Sequence, residues 1–358
     1  EKRLSDIADL SKGIGISKDQ LSADGEPCIL YGELYTKYKS ETIKEVISKT
    51  NIDNTKLVKS KANDVIIPCS GETAEEIATA RCVLKDDVLL GGDLNIIRLH
   101  GYDGSFMSYQ LNGKRKYDIA KVAQGVSVVH LYGEHLKNIK TINPGLNEQK
   151  KIANLLSLLD DRISTQNKII EKLESLIKGI RNDVFGKLRK SVGFNAMIGD
   201  VLSYEQPQSY LVEDTEYTNE GTPVLTANKA FVLGYTSEIE GIYDKGDCII
   251  FDDFTLDCKY VDFSFKVKSS AIKILTAKNK ELLRYTFEFL KYLDLSTEEH
   301  KRHYITETQN QEFILPTVQI VRTIAHAFYA LSLWKETIVK QRYAFEKQKQ
   351  YLLRQMFI

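Results

Sequence analysis

The last stretch of each half of this chain is a repeat. Residues 144–186 align with residues 316–358 at a constant offset of 172 positions without a gap. A chain with this duplication must fold into two related halves. Eight aligned pairs are identical: Pro144/Pro316, Ile152/Ile324, Ala153/Ala325, Leu159/Leu331, Thr165/Thr337, Lys168/Lys340, Glu174/Glu346 and Phe185/Phe357.

Both copies carry a heptad seam, with residues at alternating steps of four and three. The first copy predicts a helix of about 40 residues, roughly 60 Å long. Two such helices are expected to pair with each other; the alternative is that each seam packs onto its own globular domain. The first seam is Ile152, Leu156, Leu159, Ile163, Gln166, Ile170, Leu173, Ile177, Ile180 and Val184; the second is Ile324, Phe328, Leu331, Lys335, Ile338, Arg342, Phe345, Lys349, Leu352 and Met356.

The segments outside the repeat have the mixed pattern of an α+β fold. Short apolar runs between turn signals predict strands, for example at residues 64–68, 94–99 and 263–275. Short helices are predicted near residues 105–112 and 281–293. The chain is therefore expected to contain a first globular domain (1–143), a central helix (144–191), a second globular domain (192–315) and a C-terminal helix (316–358).

Composition places the chain among ordinary globular proteins. Of its 358 residues, 42% are hydrophobic and 27% charged, and no apolar run is long enough to cross a bilayer. We therefore expect a cytoplasmic protein with no membrane partner. Five cysteines, an odd number with no C-x-x-C pair, favour buried thiols over a disulfide framework or a zinc module.

Charge is unevenly distributed although the formal net charge is zero. Lys and Arg minus Asp and Glu gives 0 for residues 1–143, +4 for 144–191, −9 for 192–315 and +5 for 316–358. Phosphate neutralisation supplies most non-specific affinity for nucleic acid. If DNA is the ligand, a local basic face or a partner protein must supply that contribution.

Sequence signatures of catalysis are missing. The chain has no G-x-x-x-x-G-K-[ST] and no G-x-S-x-G, and Gly13 and Gly15 lack the third glycine of a dinucleotide loop. No two prolines are adjacent, so the chain has no Asn/Asp-Pro-Pro-Tyr/Phe methyltransferase motif. We therefore expect a non-catalytic protein with no metal site, although sequence does not show whether scattered carboxylates converge.

Two basic and aromatic clusters are candidates for contact with nucleic acid. Residues 300–304 read His-Lys-Arg-His-Tyr, and residues 114–117 read Lys-Arg-Lys-Tyr, with Tyr109 before them and His130 after. Such side chains suit phosphates and base edges. The alternatives are a solvated charged face for either cluster and, for His300 and His303, a metal site.

Several motifs resemble the specificity subunit of Type I restriction-modification enzymes. They are Asn-Pro-Gly-Leu-Asn-Glu-Gln-Lys-Lys-Ile-Ala at 143–153, Leu-Leu-Asp-Asp-Arg-Ile at 158–163, Ile-Glu-Lys-Leu-Glu at 170–174, and Phe185. Residues 68–73 and 123–127 are similar to parts of that family's recognition domains. The second helix departs from the pattern, because Glu148-Gln149 becomes Ile320-Val321 and Asp160-Asp161 becomes Ser332-Leu333.

The resemblance implies two target-recognition domains, each reading half of a bipartite site in double-stranded DNA. It implies that the two long helices pair antiparallel, set the gap between the half-sites and dock modification subunits. It places S-adenosylmethionine and Mg/ATP in partner subunits, one of them a motor-nuclease (restriction) subunit, and no cofactor in this chain. Residues predicted to contact DNA are Ser70, Gly71, Thr73, Tyr109, Lys114, Arg115, Lys116, Gly125, Ser127, His130, Lys229, Lys266, His300, Lys301, Arg302, His303 and Tyr304.

Other functions stay open on the sequence. The chain could serve a fused methyltransferase-nuclease, since neighbouring genes and not this sequence decide that point. A stand-alone nuclease or methyltransferase would need a catalytic motif that the sequence does not show. A helical adaptor that joins proteins without reading DNA is the reading that the acidic second domain favours.

Overall fold

The computed structural model describes residues 1–125, 128–226, 231–297 and 301–357. Its mixture of helices and sheets confirms the predicted α+β class. The chain forms two compact units, one of Glu1–Lys168 with Val339–Ile358 and one of Ile169–Ile338. Each unit therefore combines a globular domain with part of both long helices, and the domain boundaries drawn from the sequence remain predictions.

The first unit contains two five-stranded sheets. The strand Asp64–Pro68 lies at the centre of one sheet and is buried along its whole length, which explains its unbroken apolar run. That sheet has the order Ala8–Lys12, Leu94–Leu99, Asp64–Pro68, Arg81–Val83, Thr42–Ile43; the other has the order Leu21–Ser22, Ser48–Thr50, Glu26–Ile29, Leu89–Leu90, Val58–Lys59. Two short ladders join Lys2–Arg3 to Lys140–Thr141 and Ser70–Gly71 to Val129–His130.

Short helices cover these sheets. The helix predicted near residues 105–112 is confirmed as Gly104–Asn112, and the Asp103 carboxylate caps it by accepting from the Phe106 N–H at 2.8 Å. The remaining short helices of this unit are Leu4–Ile7, Glu33–Thr36, Ala74–Ile77, Lys116–Val122, Gly133–Leu136 and the 3₁₀ turn Lys18–Gln20.

The second unit has a four-stranded and a three-stranded sheet. The strand predicted at residues 263–275 is wrong as a single element, because Lys266–Val267 and Ile272–Ala277 lie in different sheets. The larger sheet has the order Leu202–Glu205, Ile272–Ala277, Cys248–Asp252, Cys258–Val261; the smaller has the order Val232–Thr236, Thr222–Leu225, Lys266–Val267; and Ala196–Met197 pairs with Glu312–Phe313. Helices are Ile198–Val201 and Leu283–Leu293, with 3₁₀ turns Pro207–Tyr210, Lys280–Leu282 and Thr308–Asn310.

The predicted long helices are both present. The first long helix is Leu146–Ser191, with 46 residues, and the second is Val318–Gln355, with 38. Each begins two residues after a proline, Pro144 or Pro316. Every seam residue predicted from the sequence is buried or half-buried, whereas most residues between them on the helices are exposed. Within the described ranges, no helix has the length and apolarity to span a membrane.

Helix segments run antiparallel within each unit. In the first unit the Gln166 and Gln341 side chains are 3.4 Å apart, and the Asp160 carboxylate pairs with Lys349 at 2.6 Å, so residue numbers fall on one helix as they rise on the other. The second unit repeats this order: Glu174 pairs with Lys335 at 2.6 Å and the Arg181 guanidinium lies 5.6 Å from the Phe328 ring centre.

The seams also pack onto the globular domains. In the first unit Ala153 and Leu156 share an apolar cluster with Phe106 and Tyr109 of a short helix and with Phe357. In the second unit the cluster around Leu283 and Phe289 includes residues of both long helices: Phe185, Leu188 and Val321. Helix pairing and docking onto the domain, which the sequence offered as alternatives, therefore occur together.

The basic residues of the second seam have acidic or amide partners. Lys335 pairs with Glu174, and Arg342 donates to the Asn167 side-chain oxygen at 3.2 Å. Lys349 lies between the buried carboxylates of Glu41 and Asp160. Burial alone would lower the Lys349 pKa, but these two carboxylates raise it above its ordinary value.

Where the second copy departs from the first, the structure shows a change of partner. Gln149 is buried and bridges the Asp103 N–H (2.9 Å) and the Pro144 carbonyl (2.7 Å), whereas its counterpart Val321 lies in an apolar core. Asp160 accepts from the Tyr109 hydroxyl at 2.7 Å, whereas its counterpart Ser332 accepts from Arg284.

We predict that Lys349→Met lowers the free energy of unfolding of the first unit by about 3 kcal/mol, because it keeps the side-chain volume but leaves two buried carboxylates without their cation. Urea denaturation measures this change. Lys340→Met, at an exposed position of the same helix, is the matched control. Equal stability of the two variants would contradict the role assigned to Lys349.

Candidate nucleic-acid interface

Four residues predicted to contact DNA lie at one two-stranded ladder of the first unit and the turn beside it. Ser70–Gly71 pairs antiparallel with Val129–His130, and the Ser70 hydroxyl lies 3.3 Å from the His130 Nδ1. His130 also exchanges two backbone hydrogen bonds with Gln124, at 2.9 and 2.7 Å. Gly125 follows with φ +126°, where a Cβ would lie 2.0 Å from the Val128 carbonyl oxygen, so the turn requires glycine. Ser127 lies outside the described residues.

An aromatic and basic surface lies next to this ladder. The rings of His130 and Tyr132 are stacked with centroids 6.2 Å apart, and the Lys12 ammonium lies 5.7 Å from the centre of the Tyr132 ring. Tyr132 is 45% exposed and Val128 53% exposed, so neither ring nor methyl groups are covered by the described residues. Sequence reasoning missed Lys12 and Tyr132. The spacing of His130 and Tyr132, two residues apart, was the available signal.

The cluster at residues 114–116 is only partly available to a ligand. Lys114 is exposed and Lys116 half-buried. The Arg115 side chain is 12% exposed and pairs with Glu1 at 3.0 Å and Asp118 at 3.3 Å. The Thr73 hydroxyl caps the helix Ala74–Ile77 by accepting from the Glu76 N–H at 3.1 Å. Arg115 and Thr73 thus have structural contacts that account for them.

Tyr109 does not lie at a surface. Its side chain is fully buried and its hydroxyl donates to Asp160 on the first long helix. Burial, reinforced by the Asp160 charge, raises the Tyr109 pKa far above its usual range and keeps the hydroxyl protonated. This placement speaks against a direct DNA contact by Tyr109, because its polar atom is already used inside the protein.

The cluster of the second unit is divided between surface and core. Lys301 and Arg302 are exposed, whereas His303 and Tyr304 are each 1% exposed. The Tyr304 ring packs edge-on against Tyr204 at 5.6 Å. These positions speak against base contacts by His303 and Tyr304; Arg302 is exposed, and Lys301 is exposed while paired with Glu307 at 2.9 Å.

Lys266 gives no exposed contact among the described residues. Lys266 is buried, pairs with Glu238 and donates to the Glu240 carbonyl at 2.8 Å. Lys229 and His300 lie outside the described residues. The cysteines are buried and unbridged, as predicted.

Comparison with known proteins supplies the context for this surface. Residues 1–175 match the family model described as the Type I restriction modification DNA specificity domain. A specificity subunit of the Type I restriction enzyme EcoR124I/EcoR124II from Escherichia coli is 45% identical over 126 residues, covering 33% of this chain and 31% of that protein. The Type I restriction enzyme MjaVIII specificity subunit from Methanocaldococcus jannaschii is 30% identical over 182 residues, covering 51% of this chain and 41% of that protein.

Solved structures show the same fold at low sequence identity. The crystal structure of a Type-I restriction-modification system S subunit from M. genitalium has a TM-score of 0.69 at 16% identity, covering 100% of this chain and 95% of that one. A second solved structure concerns complex assembly and conformational transition of the type I R-M system. It has a TM-score of 0.52 at 13% identity, covering 98% of this chain and 95% of that one.

The matched part of this chain spans 31% and 41% of the lengths of these two curated relatives. These matches confirm the resemblance to Type I specificity subunits that the sequence motifs indicated. The chain is similar to the specificity subunits of Type I restriction-modification systems, and its residues 1–175 match their DNA specificity domain.

Proposed function

We propose that this protein is the sequence-specific DNA-binding subunit of a Type I restriction-modification complex and reads a bipartite target with its two globular domains. The observation that carries the proposal is the surface formed by Ser70, the stacked His130 and Tyr132 rings and the neighbouring Lys12, in the part of the chain that matches the specificity domain. Imidazole and hydroxyl groups suit base edges, and lysine suits phosphate.

The exposed basic residues are assigned local contacts with DNA, and the partner subunits most of the non-specific affinity. Lys12 and Lys114 in the first unit and Lys301 and Arg302 in the second are exposed, and we assign phosphate or base contacts to them. The second domain carries a net charge of −9, so we assign most of its non-specific affinity to partners, beside the local basic pair Lys301 and Arg302. A shared complex supplies that affinity, whereas an isolated reader would lack it.

The long helices carry exposed apolar groups that suit a protein partner. Leu155 (45% exposed) and Leu158 (61%) lie one turn apart on the first long helix. Leu333 (50%) and Trp334 (52%) lie on the second. We assign these surfaces to docking of the modification subunits. The paired helices would then serve as both spacer and docking surface.

The chemistry is assigned to the partners. The chain itself would be non-catalytic, and S-adenosylmethionine would be bound by modification subunits and Mg/ATP by a restriction subunit. A fused methyltransferase-nuclease is the alternative partner. Since the substrate would be cellular or incoming DNA, the proposed location is the cytoplasm.

The direct test is adenine methylation in cells that carry the modification subunits, mapped across the genome with and without this chain. We expect methylation of one bipartite, asymmetric sequence that disappears when the chain is removed. Methylation that is unchanged by removal of the chain would refute the proposal.

A second prediction separates DNA reading from a helical adaptor. Lys114→Ala/Lys116→Ala is expected to weaken DNA binding by the assembled complex across all sequences and to reduce the slope of log affinity against log salt by roughly 2, about one for each lost phosphate contact. Fluorescence anisotropy at several salt concentrations measures this. Lys56→Ala/Lys85→Ala makes the same charge change at exposed positions elsewhere. An adaptor would show no difference between the two double variants.

A third prediction concerns docking. Leu155→Ser/Leu158→Ser is expected to reduce co-purification of the modification subunits about tenfold or more, because it removes exposed apolar contacts without opening the core. The stability of the chain should change little. Lys168→Ser/Glu171→Ser, at exposed positions of the same helix with the same spacing, should retain the partner. Full retention by the leucine variant would place docking elsewhere.

A further inference from the structure

Each globular domain has a buried polar residue at the same strand position, next to a loop that carries residues predicted to contact DNA. Asn95 is the second residue of Leu94–Leu99 and Lys273 the second of Ile272–Ala277. Asn95 pairs with Ile67, and Lys273 with Phe251, each one residue before the end of its strand. By strand register the two positions are equivalent, although the residues differ in charge and length.

The loops above these positions are equivalent as well. Leu131 and His303 are 172 positions apart, which is the offset of the long helices. The Leu131 N–H donates to the Cys69 carbonyl at 2.9 Å, and the His303 N–H donates to the Asp253 carbonyl at 3.1 Å. Cys69 and Asp253 each follow directly on the equivalent strand. His130 and Arg302, the exposed residues directly before Leu131 and His303, therefore occupy equivalent positions in the two domains.

Each domain fixes its loop with a different anchor. In the first, the Asn95 side-chain N–H donates to the Leu131 carbonyl at 3.0 Å. In the second, the Lys273 ammonium donates to the Gln206 side-chain oxygen at 2.9 Å and also pairs with the Asp253 carboxylate at 3.4 Å. The other oxygen of that carboxylate accepts from the backbone N–H groups of His303 (3.1 Å) and Tyr304 (2.8 Å).

Core packing alone does not explain these residues. Asn95 and Lys273 are each 1% exposed. The Asn95 Oδ1 is buried without a hydrogen-bond partner among the described residues, and an unpaired buried acceptor costs stability. Lysine is among the residues least often fully buried. An apolar residue would fill either site, but it would remove the donor to the loop in the first domain and leave the loop-holding Asp253 carboxylate without its cation in the second.

We infer that Asn95 and the Lys273–Asp253 pair are positioning residues that set which half-site sequence each domain reads, by fixing the backbone next to His130 and Arg302. This inference rests on the proposed function. A base contact requires a side chain held to within a fraction of an ångström, so a loosened loop loses discrimination before it loses the fold.

The second domain offers a matched pair of variants. Asp253→Ala/Lys273→Met removes the anchor without leaving a buried charge, whereas Asp253→Asn/Lys273→Met also removes both charges but keeps an oxygen that accepts from the loop. Each is expressed with the modification subunits, and adenine methylation is mapped genome-wide. We expect the alanine variant to lose about tenfold of its preference in one half of the target only, and the asparagine variant to keep it.

The first domain gives the reciprocal result. Asn95→Leu keeps the approximate volume and removes the donor to Leu131, and it should relax the other half of the target by a similar factor. Ile96→Val and Ile274→Val trim buried neighbours on the same strands and should leave both halves unchanged. Co-purified modification subunits report that each variant is folded.

The outcomes are distinct. A wild-type chain that directs no sequence-specific methylation overturns the proposed function, and this inference with it. If the wild type does direct it, the inference alone is overturned when the alanine and asparagine variants behave alike, or when both halves relax together. If Asn95→Leu does not fold, the paired variants of the second domain decide the question.

Discussion

Packing along the apolar seam of the long helices is the interaction on which the rest of this protein depends. In each unit the seam joins two antiparallel helix segments and is completed by a short helix of the globular domain. The same side chains that pair the helices thus fix each domain on them. Because one surface does both jobs, a seam residue belongs to the hydrophobic core of its unit and is not free to serve a ligand. Ligands and partner proteins must therefore bind to residues outside the seam.

The two copies of the helix solve the same packing problem with different polar partners. The first unit uses the buried Asp160 with Tyr109 and Lys349. In the second unit Glu288, 2% exposed, pairs with Arg181 at 2.7 Å and Arg284 at 3.4 Å. The second helix lacks the acidic residues of the first-helix motif because its unit uses a different buried carboxylate, Glu288, for the same kind of contact. Buried charges in such positions set register at some cost in stability, because a misaligned neighbour would leave them unpaired.

The candidate interface was predicted from the sequence in part. Ser70, Gly71, Gly125 and His130 do come together, because the motif at 68–73 contains the strand Ser70–Gly71, which pairs with Val129–His130, and Gln124 next to Gly125 also hydrogen-bonds to His130. Residue type alone misplaced others. Tyrosine, lysine and histidine suit DNA contacts, yet Tyr109, Lys266, His303 and Tyr304 are buried in the fold. Lys12 and Tyr132 were missed for the converse reason, since their proximity depends on the strand Ala8–Lys12 passing close to the loop.

The sequence by itself determined the duplication, the two long helices, the α+β class and the family, because these depend on periodicity and local motifs that survive without knowledge of distant contacts. Only the tertiary structure decided which polar residues are structural. The division of Lys114, Arg115 and Lys116 into exposed, ion-paired and half-buried side chains follows from the neighbours that the fold supplies. The equivalence of Asn95 and Lys273 likewise appears only in strand register, because the two domains share little sequence there while their hydrogen-bonded frames coincide.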